Sequence, residues 1–464
     1  MRRIAPELAP EALGRPGNPY AALWQKFRIA ALQRTKCQSL LWKSYSANTK
    51  AIDKNSFQNY TLSLGKKRFA LHEFMTGPSK TRAGPAIAAV LLFNPMLGSF
   101  YAWSVFLAPL EAELGVPRSE ISTVFGVAIF GLTAGLVCAP LANARIPTPL
   151  LPVVATILCG SGLLLSAAAD TAMMLTFSYG GLVGFGSGFG YSVTLQLINR
   201  ALADRRGLAN GLGIGVFPTG AIGFSLVFGT IIETIGPRSI FIGTAVLFAA
   251  GGLITAVLIC RSGIRFEATP RIDGDTPPSP RILFPLLWFG FFLAAAGGVL
   301  AIGHAAGILS SRGGTATMAM AGAVLVNVGN AGGRFAAGWA CDHFAPGRVA
   351  TSAHLAALIG FLILIFIPGA TAGLISVALV GLSYGIASGT YPSAVSIFFG
   401  IQRYGRNLGI LVTAWGVAGL ISPWGAGWLF DRSGDYVLAS ILGVIMAVIG
   451  IAVSLCIHPS PTKA

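Results

Sequence analysis

The chain has 464 residues, of which 54% are hydrophobic and only 10% are charged. Soluble domains carry about 25% charged residues, so this composition excludes an ordinary soluble protein and indicates a polytopic membrane protein. The net charge is +16, but residues 1–84 hold 15 of the 32 Lys and Arg and only 4 of the 16 Asp and Glu. The basic excess therefore describes the first segment and does not indicate nucleic-acid binding by the rest.

Residues 1–84 contain no apolar run that is long enough to span a membrane. Their basic, acid-poor composition fits three interpretations, which are a cytoplasmic tail without fixed structure, a mis-assigned start with Met75 as the true initiator, and a targeting segment. We assign this tail no function.

Apolar runs of about 20 residues, each long enough to cross a bilayer, occupy most of the remaining chain. They lie near residues 85–110, 120–142, 148–168, 172–196, 207–231, 239–260, 282–306, 315–340, 349–367, 371–398, 408–429 and 437–457. The sequence therefore predicts an all-α membrane protein with twelve transmembrane helices.

A stretch rich in proline and charge, residues 261–281, separates the runs six from six. We predict an N-terminal six-helix bundle at 85–260, a cytoplasmic linker at 261–281, a C-terminal six-helix bundle at 282–457 and a short cytoplasmic tail at 458–464.

The two predicted bundles also resemble each other in sequence. Residues 205–223 align with residues 403–421 at an offset of 198 positions, and this alignment places Phe217 on Trp415. Internal repeats around a site at the membrane midplane are typical of secondary transporters. The sequence therefore predicts two pseudo-symmetric bundles.

The distribution of Lys and Arg between short loops predicts the orientation in the membrane. With the N-terminus inside, inner loops and the C-terminal tail carry twelve basic residues and outer loops carry four. Those four are Arg118, Arg238, Arg312 and Arg432. We predict a multi-pass protein of the cell (inner) membrane with both termini in the cytoplasm.

Arg334 lies well inside an apolar run, eight residues before the next charge, Asp342. A charge at such depth costs at least ~2.5–3.5 kcal/mol, so residues of this kind generally face a water-filled path and mark function. A guanidinium can hold a carboxylate through two parallel hydrogen bonds, which favours an organic-anion site. The alternative is that Arg334 reaches toward the cytoplasmic face or bonds a backbone carbonyl at an inner gate.

Other side chains within the runs are candidates for the wall of the same site. Buried tyrosines require a hydrogen-bond partner, and Asn327 and Asn330 share the helix face of Arg334. The alternative for each is ordinary packing or bonding between helices. The candidate substrate-binding set is Arg334, Trp415, Phe217, Tyr101, Asn330, Asn327, Tyr384 and Tyr391.

The remaining chemistry-bearing residues show no catalytic pattern. His304 and His354 lie near the ends of their runs, which favours solvated or hydrogen-bonded rings over a proton relay. The six cysteines are scattered without metal-ligand spacing. We therefore expect neither an enzyme nor a metal or cofactor site.

Three segments together resemble a known family. Residues 98–115 (GSFYAWSVFLAPLEAELG), 199–223 (NRALADRRGLANGLGIGVFPTGAIG) and 333–348 (GRFAAGWACDHFAPGR) are similar to signatures of the major facilitator superfamily. Within it, they resemble the oxalate/formate antiporter and monocarboxylate transporter group. The resemblance extends over residues 85–457.

This resemblance implies a transporter that works by alternating access, with Arg334 contacting an anion and Tyr101 lining the site. It also implies that charged residues of the inner loops stabilise one access state. These gating candidates are Asp342, Arg348, Arg205 and Arg206.

The chain departs from the group at three places. Trp415 stands where the antiporter branch has a Lys that pairs a second carboxylate, and Asn330 stands where monocarboxylate carriers have an Asp linked to proton coupling. Residues 140–147 lack the Asp-Arg pair of the superfamily.

A single positive group suggests a single carboxylate, so we expect a transporter of a monocarboxylate. It would operate as an antiporter, symporter or uniporter. We expect the transporter to be a monomer. The alternatives are a dicarboxylate or formate exchanger and a transport-fold sensor without net flux.

Overall fold

The computed structural model describes residues 82–143, 145–266 and 282–457. Most of the predicted N-terminal tail, residues 267–281 of the predicted linker and the C-terminal tail at 458–464 lie outside the described residues. The predictions made for these segments stay predictions.

The N-terminal half contains six helical segments, α1 to α6. They are α1 at 83–114 (Ala83–Gly98, the 3₁₀ stretch Ser99–Val105 and Leu107–Leu114), α2 (Arg118–Ala142), α3 (Thr148–Ala167), α4 at 172–201 (Ala172–Leu175, the π-helical stretch Thr176–Val183 and Gly184–Ala201), α5 at 206–235 and α6 at 237–262.

The C-terminal half contains six more, α7 to α12. They are α7 (Leu283–Ser311), α8 (Ala316–His343), α9 (Pro346–Phe366), α10 at 370–399, α11 at 401–433 and α12 (Val437–Leu455).

Two glycines separate helices that otherwise run on without a loop. Gly236 has φ = 74° and divides α5 from α6, while Gly400 has φ = 73° and divides α10 from α11. Glycine adopts a positive φ without a steric penalty. Pro237 then begins α6 at the position where a missing backbone N–H costs nothing.

Nine continuous helical stretches in the described residues are long and apolar enough to cross a membrane, and Leu212–Ser262 contains parts of both α5 and α6. The other two segments are α4, which the π-helical stretch interrupts, and α8, which carries Arg334. The described chain is all helical, and the prediction of an all-α membrane fold with twelve helices is confirmed.

The ends of the helices lie at two faces of the bundle. We call the end with the connections at 115–117, 168–171, 312–315, 367–369 and 434–436 the Arg118 face. The opposite end, with the connections at 143–147, 202–205 and 344–345, is the Arg205 face. The sequence predicts that the Arg205 face is cytoplasmic, and this orientation stays a prediction.

Close approach of helices within each half depends on glycine. Gly98 of α1 faces the backbone carbonyl of Phe217 in α5, and an added Cβ atom would collide with it. Gly333 of α8 faces the backbone of α10 in the same way, at the carbonyl of Leu382. Small residues of this kind let helix backbones approach closely inside a membrane. They bring the side chains of α1, α5, α8 and α10 toward one another.

Helices α2 and α11 belong to different halves and are in close contact toward the Arg118 face. A Cβ atom added at Gly427 would lie 2.9 Å from Ser119 Cα, and one at Gly416 would lie 2.9 Å from Thr133 Oγ1. The same helix stripe continues to Gly409, where an added Cβ atom would meet no described atom within 4 Å. Along α2 and α11 the two halves are therefore in contact toward the Arg118 face, and this contact does not continue at Gly409.

This difference in contact predicts different thiol reactivity at two positions of the α2–α11 interface. In a cysteine-free background, we expect Gly409→Cys to react with a hydrophilic maleimide at least about tenfold faster than Ser122→Cys, which corresponds to about 1.4 kcal/mol of opening free energy. Ser122 is only 1% exposed, so its thiol must wait for the Arg118 face to open. Labelling of the purified protein, quenched at successive times, measures both rates. Equal rates would show that the halves are equally closed at both faces.

Candidate functional site

Arg334 lies on α8 at the boundary between the two halves. Its Nε donates to Asn330 Oδ1 at 3.0 Å, and its Nη1 donates to the backbone oxygen of Ile214, on α5 of the other half, at 3.3 Å. The side chain is half-buried. Among the described residues no carboxylate forms a salt bridge with it. A cation without a counterion is thus held by neutral acceptors only.

Tyrosine hydroxyls surround this guanidinium. Tyr101 of α1 and Tyr384 of α10 are both buried, and their hydroxyls share a hydrogen bond of 2.9 Å across the two halves. Together with the Tyr191 hydroxyl of α4, they interact electrostatically with Arg334. The Arg334 guanidinium carbon also lies 5.9 Å from the centre of the Tyr384 ring. The site therefore combines one positive charge with three phenol groups.

The 3₁₀ stretch of α1 places Tyr101 in this cluster. Ser99–Val105 is wound more tightly than the α-helical stretches on either side, so its side chains project at changed angles. The backbone oxygen of Tyr101 also faces α8, where Asn327 Nδ2 approaches it at 3.4 Å. Tyr101 therefore contacts the C-terminal half through both its hydroxyl and its backbone.

Aromatic rings support the tyrosines on both sides. The Phe217 ring lies 5.5 Å from Tyr101 and 4.7 Å from Tyr191, between ring centres. Trp415 of α11 is close enough to the Tyr384 hydroxyl to interact with it electrostatically. The two residues that the 198-residue offset pairs thus lie beside the same cluster, each in its own half. Their role in binding stays a prediction.

Three buried polar atoms in this region lack a hydrogen-bond partner among the described residues. They are Asn330 Nδ2, Trp415 Nε1 and Asn327 Oδ1. An unpaired buried polar group costs about 1–3 kcal/mol. Asn330 therefore presents an N–H donor that a bound acceptor could satisfy next to the Arg334 guanidinium, and Trp415 presents another beside Tyr384.

Tyr391 lies in a different environment from the other candidates. Its hydroxyl bonds with His354 Nε2 at 3.1 Å, and its ring lies 5.4 Å from Phe291. All three residues belong to the C-terminal half. These contacts do not bring Tyr391 to Arg334, and they show His354 as a hydrogen-bonded ring. We leave Tyr391 out of the proposed site.

The predicted gating residues lie at the Arg205 face. Asp342, Arg348 and Arg205 are exposed, and their side chains form no hydrogen bond or ion pair with the described residues. The side chain of Arg206 lies outside what is described. In this state these three residues therefore do not connect the halves.

A polar network at the Arg118 face was not predicted from the sequence. Arg118 donates to both carboxylate oxygens of Glu111 at 2.6 and 2.9 Å and to the Tyr436 hydroxyl at 3.1 Å, and its guanidinium carbon lies 3.7 Å from the centre of the Phe430 ring. Asp431 of α11 accepts from the first two backbone N–H groups of α2, each at 3.0 Å. Glu111 and Arg118 lie close together in the sequence, on either side of the connection at 115–117.

The carboxylate of Asp431 caps the N-terminus of α2 by accepting hydrogen bonds from its first backbone N–H groups. The first backbone N–H groups of a helix lack partners within the helix, and an anion at that end also interacts favourably with the helix dipole. Because this cap comes from α11, it joins the two halves directly.

Comparison with known proteins identifies the family. The model of the Major Facilitator Superfamily matches residues 88–423. The chain belongs to this superfamily. It is 28% identical over 338 residues to the uncharacterized MFS-type transporter YhjX of Escherichia coli (strain K12), a match that covers 70% of this chain and 82% of that protein.

Two further relatives carry transport functions in their names. The oxalate:formate antiporter of Oxalobacter formigenes is 24% identical over 356 residues, covering 74% of this chain and 82% of the antiporter. Human monocarboxylate transporter 11 is 24% identical over 310 residues, covering 62% of this chain and 64% of the transporter. The protein is thus a multi-pass membrane transporter and not an enzyme.

A solved structure supports the fold. The crystal structure of a D-xylose-proton symporter superposes with a TM-score of 0.62 at 16% identity, covering 79% of this chain and 96% of the symporter. At this identity the similarity concerns the arrangement of helices alone.

The hydroxyl pair predicts a non-additive double-mutant cycle. Tyr101→Phe and Tyr384→Phe each remove one partner of a buried hydrogen bond, and the loss of a partner from a buried polar group costs about 1–3 kcal/mol. The double variant removes both groups, and we expect it to be more stable than the sum of the single effects by about 1 kcal/mol. Unfolding of the purified, ligand-free protein measures the four stabilities.

The matched control for this cycle combines Tyr101→Phe with Tyr391→Phe. Tyr391 bonds with His354 and not with Tyr101, so these two effects should add. Additivity in the Tyr101–Tyr384 cycle as well would contradict a contact between the halves at this point.

Proposed function

We propose that the protein is a secondary transporter of a small organic anion, most specifically a monocarboxylate, and that Arg334 neutralises the carboxylate. The observation that carries this proposal is a half-buried guanidinium at the boundary of the two halves without a carboxylate partner among the described residues. A carboxylate bound there would neutralise the charge of the guanidinium and accept hydrogen bonds from the nearby Tyr101 and Tyr384 hydroxyls.

The contacts of Arg334 suggest how binding and transport are linked. Its bond to the Ile214 backbone oxygen is long, at 3.3 Å, and a carboxylate is a much stronger acceptor for a guanidinium than a carbonyl. An incoming anion would replace this bond and also compete for the hydroxyls of Tyr101 and Tyr384, which join the halves. Binding would thus change the contacts that hold α1 and α5 against α8 and α10.

The charge of the site supports one carboxylate rather than two. Residues 82–457 contain no Lys, and Trp415 brings a largely apolar indole beside the Tyr384 hydroxyl. A second carboxylate would therefore meet a ring and a single N–H donor. The similarity to the oxalate:formate antiporter keeps a dicarboxylate exchanger as the second candidate.

We propose that the carrier is a monomer in the cell (inner) membrane with both termini in the cytoplasm, divided into bundles at 85–260 and 282–457. Under this orientation the Arg205 face is cytoplasmic. The excess of Arg in the connections of that face supports the orientation.

The first test concerns Arg334. In liposomes containing the purified protein, we expect Arg334→Gln to raise the apparent Kd for the best short-chain monocarboxylate about 10- to 100-fold, because a charged hydrogen bond contributes about 1.5–3 kcal/mol. Arg334→Lys, which keeps the charge and loses the planar fork, should be intermediate. Arg432→Gln, an exposed arginine over the Trp428 ring, is the matched control and should bind normally. Unchanged affinity in Arg334→Gln would refute the assignment.

The second test concerns Trp415. We expect Trp415→Lys to bind a dicarboxylate at least about tenfold more tightly than the parent protein, because one added charged pair contributes about 1.4 kcal/mol or more. Competition by dicarboxylates against a labelled monocarboxylate measures the change. Phe217→Lys places the charge in the other half and serves as the comparison. A gain in both variants alike would show that added charge, and not its position, determines the specificity.

A further inference from the structure

His304 of α7 is buried and has a defined hydrogen-bond partner at each ring nitrogen. Its Nε2 lies 3.0 Å from the backbone oxygen of Pro423, and its Nδ1 lies 2.9 Å from the Tyr436 hydroxyl. A carbonyl oxygen can only accept, so Nε2 carries a proton. With a neutral imidazole, Nδ1 accepts from the Tyr436 hydroxyl, and both ring nitrogens then have a matching partner.

The Tyr436 hydroxyl connects this imidazole to Arg118. It accepts from Arg118 Nη1 at 3.1 Å, and Arg118 in turn donates to Glu111. With a neutral imidazole, the hydrogen bonds in the row run from Arg118 to Tyr436, from Tyr436 to His304 and from His304 to Pro423. We call these five residues the His304 chain.

The His304 chain crosses from one half to the other. Glu111 and Arg118 belong to α1 and α2, whereas His304 lies on α7, Pro423 on α11 and Tyr436 in the connection that precedes α12. The packing around it is close, because a Cβ atom added at Gly307 would lie 2.7 Å from the Tyr436 hydroxyl and 3.4 Å from Arg118 Nη1. The chain therefore exists only while the Arg118 face is closed.

Charged groups face the imidazole from several helices. Arg118 of α2 and Asp431 of α11 both act on it electrostatically, and Glu111 of α1 lies behind Arg118. The side chains of Arg118 and Glu111 are 12% and 18% exposed, so protons from the solvent can reach this end of the chain.

We propose that His304 is the proton-responsive element of the Arg118 face, and that a second proton on its imidazole favours the opening of that face. Protonation at Nδ1 forms a new N–H bond that points at the Tyr436 hydroxyl, whose own hydrogen must then turn to another acceptor. It also places a second cation, the imidazolium, against the same Tyr436 hydroxyl that already accepts from Arg118. The closed face cannot hold the guanidinium and the imidazolium at this hydroxyl without losing hydrogen bonds.

The sign of the effect follows from linkage. When the Arg118 face opens, His304 leaves Tyr436 and Pro423 and can be hydrated in its charged form. The open state then binds a proton that the closed state excludes, so a lower pH shifts the equilibrium toward the open state. This inference needs only the transporter fold and does not rest on the identity of the anion.

Hydrogen–deuterium exchange of the full-length, ligand-free protein tests the proposal. Exchange is followed in peptides from residues 105–125 and 420–440 at ~pH 7.5 and ~pH 5.5, on either side of the ordinary titration of histidine, with labelling times scaled for the intrinsic pH dependence. For the parent protein we expect protection at the lower pH to fall at least about fivefold, as expected for a shift toward an opened state.

Two variants that cannot be protonated decide the matter. His304→Gln and His304→Asn keep a neutral donor and acceptor, and we expect their protection to change less than about twofold between the two pH values. His354→Gln is the matched control, since His354 is equally buried but bonds within its own half, and it should respond like the parent protein. An undiminished pH response in either His304 variant would overturn the proposal.

Tyr436→Phe supplies an independent measurement should the His304 variants fold poorly. It keeps the aromatic ring and removes the hydroxyl that joins Arg118 to His304. We expect its peptides to exchange already at ~pH 7.5 as fast as those of the parent protein at ~pH 5.5. Protection at the level of the parent protein would show that the His304 chain does not hold this face closed.

Discussion

A permanent positive charge at the boundary of the two halves is the constraint on which the rest of the structure depends. Arg334 cannot lose its charge, and among the described residues it forms no salt bridge, so neutral oxygens and phenol hydroxyls must hold it. Glycines on α8 let α10 approach and bring Tyr384 to the guanidinium. The same arrangement that makes the charge tolerable therefore also leaves it available to an anion.

Contacts between the halves are of two kinds, and the difference suits a protein that must change its conformation. Along α2 and α11 the contact depends on glycines, with Gly427 against the backbone of Ser119 and Gly416 against the side chain of Thr133. At the Arg118 face it depends on directional bonds, including the Asp431 cap on α2 and the His304 chain. Packing of small residues can separate without leaving buried polar groups, whereas the polar bonds need water or new partners. The polar face is thus where solution conditions can act.

The twelve helices could be predicted because the length of each apolar run is visible in the sequence. Arg334 could be selected as a candidate site residue because it is a charge inside an apolar run. The sequence also paired Phe217 with Trp415 through the repeat. The network around Arg118 could not be predicted, since Asp431 and Tyr436 lie more than three hundred residues away in the chain. Tyr391 was grouped with Tyr384 because residue type and depth alone do not reveal which way a helix faces.

The Arg334 site and the His304 chain do not need to touch in order to influence each other. Both involve contacts between the halves, the first through Tyr101 and Tyr384 and the second through Arg118 and Tyr436. When two ligands each prefer one arrangement of the halves, the first changes the affinity for the second by the same factor by which the second changes the affinity for the first. An anion at Arg334 and a proton at His304 would therefore be coupled through the equilibrium between closed and open faces, without a carboxylate deep in the membrane to carry the proton.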